Sequence, residues 1–445
     1  METRSTVLAA ILAGGQATRA ELACSTGFSP QSASEAVDAL LAEGLIAQGG
    51  DLLTGSAELG LVCGVDLGGS NCRFLVADLL GNPVQVSHEL TPITIGAEAL
   101  AEWLAGRVTA LTGGLDARLR AVVVGLPGMV AADGSAISGA PNVPQIQGEG
   151  FARRLTQAIP APVHLYNDSD LALLGELRFG AGRGLTNVVM FTIGAGLGSG
   201  AVLDGVLLRG RRGLTGEFGF LPVGPSGETI EDLLSGNGLL RQARALRAPV
   251  SDAAGLFAAD APDLLEPLLE RFDRALVLAL TAATVAYEPD AVILGGGLSP
   301  AVARRLEKTS GLLAELLPNP PPDLRLASLG DLSGTLGALV VGYQTAYRAL
   351  GIAAADAAGL PSAAALSRLW DPLPYGLRGW MSQETPPAAI PGPRGRADPG
   401  RSGTASAPPA HRAAKRTSAR PNAATVNTHL STRVLRRPRP RRHRS

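Results

Sequence analysis

From Leu61 onward, short apolar runs that end in or near glycine alternate with longer helical stretches. The runs are LVCGVDL, RFLVADLL, AVVVGLPG, VVMFTIG and DAVILGGG, and the helical stretches include GAEALAEWLAGRVTAL and LLEPLLERFDRALVLALTAATVAY. Strands that alternate with helices predict an α/β body, because each helix buries its apolar face against a sheet. At 445 residues the chain is too long for one ordinary core, so we expect two or three domains.

Residues 1 to about 50 have a helical period instead of a strand period. The first helix has an apolar stripe at Val7, Leu8, Ile11 and Leu12. TRAELACSTG predicts a short second helix, and SPQSASEAVDALLAEGLI predicts a third with Ser29 as N-cap and Pro30 at its first position. This order is typical of a helix-turn-helix, although a generic three-helix bundle has the same pattern.

Charge is divided unevenly along the chain. From Glu384 onward the sequence holds 14 of the 39 Lys and Arg but 2 of the 39 Asp and Glu, so a basic tail follows an acidic body. The composition of the tail forbids a buried core, and we predict that it is disordered. Two interpretations stay open: a cationic arm that holds DNA without reading it, or an extension without function.

Three cysteines, Cys24, Cys63 and Cys72, provide no disulfide framework, which is typical of the reducing cytoplasm. No apolar run approaches the roughly 20 residues that span a bilayer. The sequence therefore predicts a cytoplasmic protein that does not enter the membrane. VLAAILAGG could pass for a short signal core, but the helix-turn-helix explains it better.

Three glycine-rich turns follow strand-like runs. VDLGGSNCR contains the first, FTIGAGLGSG the second and AVILGGG the third. Glycine lets the backbone approach a phosphate without interference from a Cβ, and a nearby carboxylate can hold Mg²⁺ or its water. One such turn could equally be a tight hairpin, whereas three at strand ends favour phosphate binding.

An acidic residue also stands at the end of a strand-like run. VHLYNDSD places Asp168 after an apolar strand and before a helix. A carboxylate at such a position, facing glycine-lined phosphate sites, is a candidate base for a substrate hydroxyl. The same carboxylate could instead cap the following helix, and this alternative stays open.

Taken in order, these motifs resemble the ROK family of repressors and sugar kinases. They are the helix-turn-helix followed by VDLGGSNCR, GLPGMV, PNVP, YNDSD, GAGLGSG, GEFG and AVILGGG, and they cover residues 5 to about 350. The resemblance implies an α/β fold with a winged helix-turn-helix and two actin-like ATPase (ribonuclease H-like) subdomains. The predicted domains are residues 1–58, 60–187 and 188–350, with an ill-defined extension at 351–383 and the disordered basic tail at 384–445.

The resemblance also implies roles for single residues. Asp168 would be the catalytic base. The cofactor site would comprise Asp66, Gly68, Gly69, Ser70, Gly194, Gly196, Gly198, Gly295 and Gly296, with serine at position 70 where the family usually has threonine. The sugar would be bound by Asn142, Asn167, Asp168, Glu217 and Glu231. ATP and Mg²⁺ would be needed only if kinase activity survives.

The chain departs from the family at its zinc loop. The family signature continues Glu-x-Gly-His and then Cys-x-Cys-Gly-x-x-Gly-Cys, whereas this chain reads GEFGFLPVGPSGETIEDLLSG, with Phe220 in place of the histidine. Phenylalanine has no lone pair and no cysteine lies near, so we predict that no zinc is bound. We therefore expect the segment that carries Glu217 and Glu231 to be held by packing alone, and sugar phosphorylation to be inefficient.

The predicted DNA-binding module is poor in positive charge. Between Arg19 and Arg73 the sequence contains no Lys or Arg, although cations on phosphates supply much of the affinity for DNA. The candidate DNA-binding residues are Arg19, Ser29, Gln31, Ser32 and Ser34.

The fused N-terminal module favours a transcriptional regulator. We predict that it is a repressor that binds DNA, senses a sugar, and forms a homodimer or a higher homo-oligomer. An ATP-dependent sugar kinase with Asp168 as base is the first alternative. A degenerate interaction protein that neither reads DNA nor phosphorylates is the second.

Overall fold

The computed structural model describes residues 2–113, 118–224, 227–258, 260–362 and 365–366. These residues all lie within the unit Met1–Thr385. The predicted disordered tail, 384–445, and most of the predicted extension, 351–383, lie outside the described residues. No helix in the described part is both long and apolar enough to cross a membrane.

The N-terminal part combines three helices with a small antiparallel sheet. The elements are α1 (Glu2–Gly14), β1 (Gln16–Ala17), α2 (Arg19–Thr26), α3 (Pro30–Ala42), β2 (Ile46–Gly49) and β3 (Leu52–Gly55). The sheet has the order β1-β3-β2. Thr18 and Glu21 form a capping box at the start of α2, and Ser29 caps α3 as predicted, with Pro30 in its first turn.

The next part of the chain forms a five-stranded sheet, the first sheet, covered by helices. Its elements are β4 (Leu61–Leu67), β5 (Asn71–Asp78), β6 (Pro83–Leu90), α4 (Ala97–Leu111), β7 (Leu119–Leu126), β8 (Met129–Val130), β9 (Ile137–Ser138), α5 (Gly150–Ala158) and β10 (Val163–Asn167). The strand order is β10-β7-β4-β5-β6, while β8 and β9 form a separate hairpin. β4, β5 and β6 are antiparallel neighbours, and β7 and β10 run parallel to β4.

A second five-stranded sheet, the second sheet, repeats this topology. After α6 (Asp168–Phe179) come β11 (Val188–Ile193), β12 (Leu197–Leu203), β13 (Val206–Leu207), α7 (Ile230–Leu234), α8 (Gly236–Ala245), α9 (Glu266–Tyr287), β14 (Ala291–Gly295), α10 (Ser299–Ala303), α11 (Leu306–Leu316), β15 (Asp323–Leu326), α12 (Ser333–Ala349) and α13 (Ala354–Ala358). The order is β13-β12-β11-β14-β15, again an antiparallel meander followed by two parallel strands. The five predicted strand runs correspond to β4, β5, β7, β11 and β14.

Helices α6 and α12 pack with their backbones in direct contact. A Cβ added at Gly337 would lie 1.7 Å from the carbonyl oxygen of Leu171, and one at Gly175 would lie 2.2 Å from that of Ser333. No side chain fits at either position, so the two glycines set the distance between the helices.

One hydrophobic core joins the N-terminal elements to the first sheet. Leu8 of α1 and Leu40 of α3 are fully buried in this core together with Leu75 of β5. Tyr347 of α12 lies in the same core, and its hydroxyl donates to the carbonyl of Leu79. The N-terminal elements are therefore packed onto the α/β body through α12 and are not tethered by an exposed linker.

Candidate functional site

The first glycine turn joins β4 to β5. The N–H of Gly68 donates to the carbonyl of Asn71 at 2.9 Å and closes the turn. Thr91 fastens it from outside, because its Oγ1 donates to the Gly68 carbonyl at 2.7 Å and its N–H to the Ser70 carbonyl at 3.0 Å. The side chain of Ser70 is exposed. The backbone of this turn is thus fixed by one hydrogen bond within the turn and two from Thr91.

Asp66, on β4 just before this turn, lies between Arg73 and the start of α12. Nη1 of Arg73 is 4.0 Å from a carboxylate oxygen of Asp66, and its Nη2 pairs with Asp331 at 2.5 Å. A Cβ added at Gly334 would lie 3.1 Å from Cγ of Asp66. Burial and the charge of Asp168 raise the pKa of Asp66 to about 7, against the opposing effect of Arg73. The carboxyl therefore titrates near neutral pH.

Asp168 lies at the same edge of the first sheet, at the start of α6. β4, β7 and β10 are parallel and paired in register, so their carboxyl ends bring Asp66 and Asp168 together. The Asp168 carboxylate accepts the N–H of Ser169 at 2.7 Å. Burial raises its pKa to about 6, against the effect of the hydrogen bonds from Ser169. A carboxyl with this pKa is mostly ionised at neutral pH and is able to accept a proton.

Asn167 occupies the N-cap position of α6. Its Oδ1 accepts the N–H groups of Ser169 and Asp170 at 2.8 and 3.1 Å, and its Nδ2 donates to the Gly128 carbonyl at 2.9 Å. The cap is therefore supplied by Asn167, which leaves Asp168 in the first turn of the helix. The amide that the sequence predicts to bind a sugar is engaged within the protein.

The second glycine turn joins β11 to β12 and lies against the start of α6. The N–H of Gly194 donates to the carbonyl of Gly196 at 2.9 Å. A Cβ added at Gly198 would lie 2.1 Å from Oγ of Ser169, which is hydrogen-bonded to Thr192. The close approach of α6 to β12 thus explains the glycine at position 198.

Gly194 and Gly196 are different, because the fold has room for a side chain at both. Neither has a left-handed φ, and the nearest atoms to an added Cβ are the nitrogen of Gly297 at 3.9 Å and Oε1 of Glu231 at 3.4 Å. Packing therefore does not require glycine at either position, although the carbonyls of Gly194 and Ala195 accept the N–H groups of Gly236 and Asn237 at 2.8 and 3.1 Å. The absence of a side chain is the condition under which a ligand can approach a backbone closely.

The third glycine-rich turn has an internal explanation. A Cβ added at Gly295 would lie 2.5 Å from Cε of Met190, and one at Gly296 would lie 2.5 Å from the carbonyl oxygen of Ile193. Gly296 also has a φ of +85°. The fold itself therefore requires glycine at Gly296, whether or not a nucleotide binds there, whereas a side chain at Gly295 would have to displace the end of Met190.

Acidic side chains gather between the first two turns. Burial raises the pKa of Glu217 to about 7, and the charges of Asp168 and Glu231 add to the increase. Burial likewise raises the pKa of Asp170 to about 7, against the charge of Arg209. We call Asp168, Asp170, Glu217 and Glu231 the acidic group. Three of its four members were predicted from the sequence as site residues, and Asp170 was missed although it belongs to the same YNDSD motif.

Asn142 was predicted as a sugar-binding residue and lies beside the first turn. A Cβ added at Gly69 would be 3.2 Å from Cβ of Asn142 and 3.3 Å from its carbonyl oxygen. The Asn142 side chain is exposed. The structure thus brings Asn142 and the first turn together, while Asn167 is turned into the protein.

Aromatic packing holds the start of the segment that replaces the zinc loop. The ring of Phe218 lies 5.4 Å from that of Phe191 and 6.2 Å from that of Tyr287, between ring centres. At the other end of the segment a carboxylate of Glu231 accepts the N–H of Leu197 at 3.1 Å, which fastens α7 to the second turn.

Polar contacts hold the rest of this segment, so the expectation of packing alone is wrong. Thr229 and Asp232 form a capping box at the start of α7. Arg241 pairs with Asp232, and Arg271 pairs with Glu228. The sequence pattern did not show these pairs because the two arginines come from α8 and α9, which only the fold brings to α7.

Within the described ranges, no group of three or more His, Cys, Asp and Glu side chains is arranged to hold a metal ion. Phe220, at the position of the family histidine, is 60% exposed.

All five predicted DNA-binding side chains have partners inside the N-terminal part. Arg19 donates to Ser34 at 2.8 Å and pairs with Asp38 at 2.7 Å. The amide of Gln31 donates to Glu35 at 3.0 Å. The two remaining residues, Ser29 and Ser32, are hydrogen-bonded to each other at the N-cap of α3. Arg4, the other arginine before position 73, pairs with Glu43.

Sequence reasoning also missed the groups that surround Asp66. Arg73 was present in the quoted motif, and its distance of seven residues from Asp66 in an antiparallel hairpin was a usable signal. Asp331 and Gly334 carried no signal, because they lie more than 250 residues away along the chain.

Comparison with known proteins agrees with the resemblance that the sequence motifs showed. The family model described as "ROK family" matches residues 62–344. A glucokinase of Streptomyces coelicolor is 29% identical over 311 residues, which cover 63% of this chain and 96% of the glucokinase. A solved ROK family glucokinase from Streptomyces griseus, in complex with glucose and AMPPNP, is 28% identical with a TM-score of 0.53 and covers 63% of this chain and 98% of its own.

A third relative extends over more of the chain. A solved ROK family transcriptional regulator, described as a homologue of the E. coli MLC protein, has a TM-score of 0.63 and covers 80% of this chain and 98% of its own, at 19% identity. At that identity the likeness shows a common fold. The repeated five-stranded topology and the position of the glycine turns accord with the actin-like architecture of this group. The chain belongs to the ROK family.

Proposed function

We propose that this protein is a ROK-family transcriptional regulator that binds DNA through a winged helix-turn-helix and senses a sugar or sugar derivative in the cleft between the glycine turns. Elements α1 to α3 would be the helices of that module and the hairpin of β2 and β3 its wing. A repressor is the simplest form of the proposal, and its partners would be DNA and a small-molecule sugar effector.

The observation that carries the proposal is the path of α12. Gly334 at its first turn approaches the Asp66 carboxylate, and Tyr347 near its end is buried in the core shared with the N-terminal module. A ligand that moves Asp66 or α12 would therefore act directly on the packing of the module. Such coupling requires that the ligand bind one arrangement of α12 more tightly than the other.

The relatives support the same proposal. The solved regulator covers 80% of this chain and the solved glucokinase 63%, so the regulator shares fold beyond the ROK body. A sugar kinase needs no such additional module. A homodimer would suit the proposal, because two modules would then meet two half-sites about 34 Å apart.

The module would bind DNA only after giving up contacts within the protein. Arg19 would exchange Asp38 for a phosphate, and the exposed acidic residues of α3, Glu35 and Asp38, would repel the backbone of DNA. We therefore expect weak non-specific binding by the module and a strong dependence on direct contacts to base edges.

Selection of duplexes from a random pool by the full-length chain tests the proposal. We expect enrichment of a defined sequence, and loss of that enrichment in the variant Gln31→Ala/Ser32→Ala. The basic tail is the same in both proteins, so it cannot produce the difference. No enrichment, or equal enrichment by both proteins, would rule out sequence reading by this module.

Coupling to the cleft is tested with the enriched duplex and a panel of sugars. We expect one sugar to change the affinity for the duplex several-fold, in line with typical coupling energies of about 1–3 kcal/mol. If a sugar binds in calorimetry but leaves the affinity for DNA unchanged, the protein is not a sugar-responsive regulator.

An ATP-dependent sugar kinase remains the second candidate, favoured by Asp168 and its pKa of about 6 beside the second turn. The absence of side chains at Gly194 and Gly196, which packing does not require, suits the approach of a nucleotide phosphate, with any Mg²⁺ near Asp66. Release of ADP with a sugar, lost in Asp168→Asn and retained in the exposed control Asp204→Asn, would establish this activity. No ADP release with any sugar would leave the cleft as a sensor.

A further inference from the structure

A pocket of about 630 Å³ lies beside β10, the edge strand of the first sheet, and its lining includes no residue of the glycine turns or the acidic group. Its walls are the loop of residues 132–135, one face of α5, strand β10, and Arg209, which follows β13. Its volume suits a molecule the size of a sugar phosphate. We propose that it is a second ligand site, which binds a small metabolite that carries a phosphate or carboxylate group.

Arg153 on α5 supplies the first reason. It lines the pocket, and among the residues that the structure describes it has no carboxylate partner. Its neighbour Arg154 does not line the pocket and pairs with Glu102 at 2.6 Å. An unpaired guanidinium at the mouth of a pocket is suited to a planar or tetrahedral oxyanion, because it offers two parallel N–H donors.

Arg209 supplies the second reason. Its guanidinium donates to the carbonyls of Ala132 at 3.0 Å and Leu165 at 2.8 Å and lies 3.9 Å from the centre of the Tyr166 ring. Its positive charge is therefore held in place by carbonyls and a ring, with no carboxylate within salt-bridge distance in the described part of the chain. A positive charge fixed in this way attracts an anion without having to be ordered first.

Two buried nitrogens at the pocket wall lack hydrogen-bond partners in the described structure. They are Nε of Arg209 and Nε2 of His164, both residues that line the pocket. Buried polar groups in folded proteins are nearly always satisfied, and because these two nitrogens are covered, a ligand in the pocket would reach them through a bound water or a small shift of the wall.

Two carboxylates line the pocket as well. Asp133 already accepts the N–H of Ser135 at 3.0 Å and its hydroxyl at 2.7 Å, so part of its capacity is used. Glu149 lies just before α5. Selectivity for an anion therefore rests on the two arginines that have no carboxylate partner and not on an excess of positive charge.

Calorimetry of the full-length chain tests this site, with inorganic phosphate, a hexose 6-phosphate, citrate and the neutral hexose as separate probes at constant ionic strength. We expect at least one anion to bind more tightly than about 1 mM. The phosphate and citrate arms distinguish a phosphorylated metabolite from a carboxylate. We expect Arg153→Gln to weaken that binding about tenfold and the matched control Arg154→Gln to change it less than about twofold.

A second variant guards against loss of the fold. Gln157→Glu adds a carboxylate to the same exposed face of α5. It should weaken the binding of the anion and leave any binding of the neutral hexose unchanged. No measurable anion binding overturns the proposal. So does anion binding that Arg153→Gln and Arg154→Gln weaken equally, or that neither changes, because such binding would come from the basic tail or the cleft.

Discussion

The two five-stranded sheets place a glycine turn at the same point, between the first and second strands of the meander, yet the turns differ in chemistry. The first carries a carboxylate, Asp66, with Arg73 beside it and hydrogen bonds that fix its backbone. The second has no carboxylate of its own and has room for a side chain at Gly194 and Gly196, and the start of α8 donates two N–H groups to its carbonyls. One topology therefore provides a charged side chain beside one turn and a turn of small residues at the other.

The helices behind the turns explain how the difference is maintained. The start of α12 backs the first turn through Gly334, and the start of α6 backs the second through Ser169. The two helices touch each other at Gly175 and Gly337. Each turn is thus backed by a different helix, and the two helices contact each other.

The largest effect should come from that shared contact. Gly337→Ala would place a methyl group where the carbonyl oxygen of Leu171 now lies, so α6 and α12 must separate. We expect a loss of about 3 kcal/mol or more in the free energy of unfolding, measured by denaturant titration. Both turns should lose their support together.

Gly106→Ala is the matched control for this prediction. Gly106 lies within α4, and no atom comes within 4 Å of an added Cβ. Alanine should stabilise this helix by up to about 1 kcal/mol. If Gly337→Ala were as stable as Gly106→Ala, the two turns would not depend on a common contact.

The next largest effect should come from the carboxyl of Asp66, which only the first turn has. The pKa of Asp66 is about 7 in the folded protein, against an ordinary value of 3.8 for an aspartate in the unfolded chain, so the folded state holds a proton that the unfolded chain releases above about pH 4. This contribution favours folding at low pH and is lost as the pH rises to about 7. Relative to the wild type, Asp66→Asn should therefore gain about 2 kcal/mol between roughly pH 5 and pH 8.

Asp232→Asn provides the opposite case for the same measurement. Hydrogen bonds from Thr229 lower the pKa of Asp232. Its contribution to the free energy of unfolding is therefore complete above the ordinary pKa of an aspartate and is lost only in acid. We expect its stability relative to the wild type to stay constant between roughly pH 5 and pH 8. If Asp66→Asn showed the same flat pH profile as Asp232→Asn, the pKa of Asp66 would not be raised in the folded protein.

The smallest effect on stability concerns the second turn. Gly194→Ala and Gly196→Ala should change the free energy of unfolding by less than about 0.5 kcal/mol, because space is available and φ is not left-handed. The same variants should weaken the binding of a nucleotide analogue if the turn faces its phosphates. A large loss of stability would mean that these glycines serve the fold, as Gly296 does.

Local sequence patterns predicted much of this protein. The period of the first 50 or so residues indicated three helices, Ser29 and Pro30 marked the start of the third, and five glycine-punctuated runs indicated strands. These features depend on neighbouring residues, for which caps, turns and periodicity are reliable signals. The ordered motifs were also sufficient for the family.

Tertiary structure decided what those motifs contact. It tied the side-chain amide of Asn167 to the carbonyl of Gly128, paired Arg19 with Asp38, and placed Arg271 on Glu228 in the segment that has no zinc loop. It also joined the N-terminal module to the body through α12. Each of these contacts joins residues from different parts of the chain. The sequence does not show which partner a charged or polar side chain will have after folding. The residue types along the chain could thus suggest a ligand site, whereas the packed structure decides which of the suggested groups are already engaged within the protein.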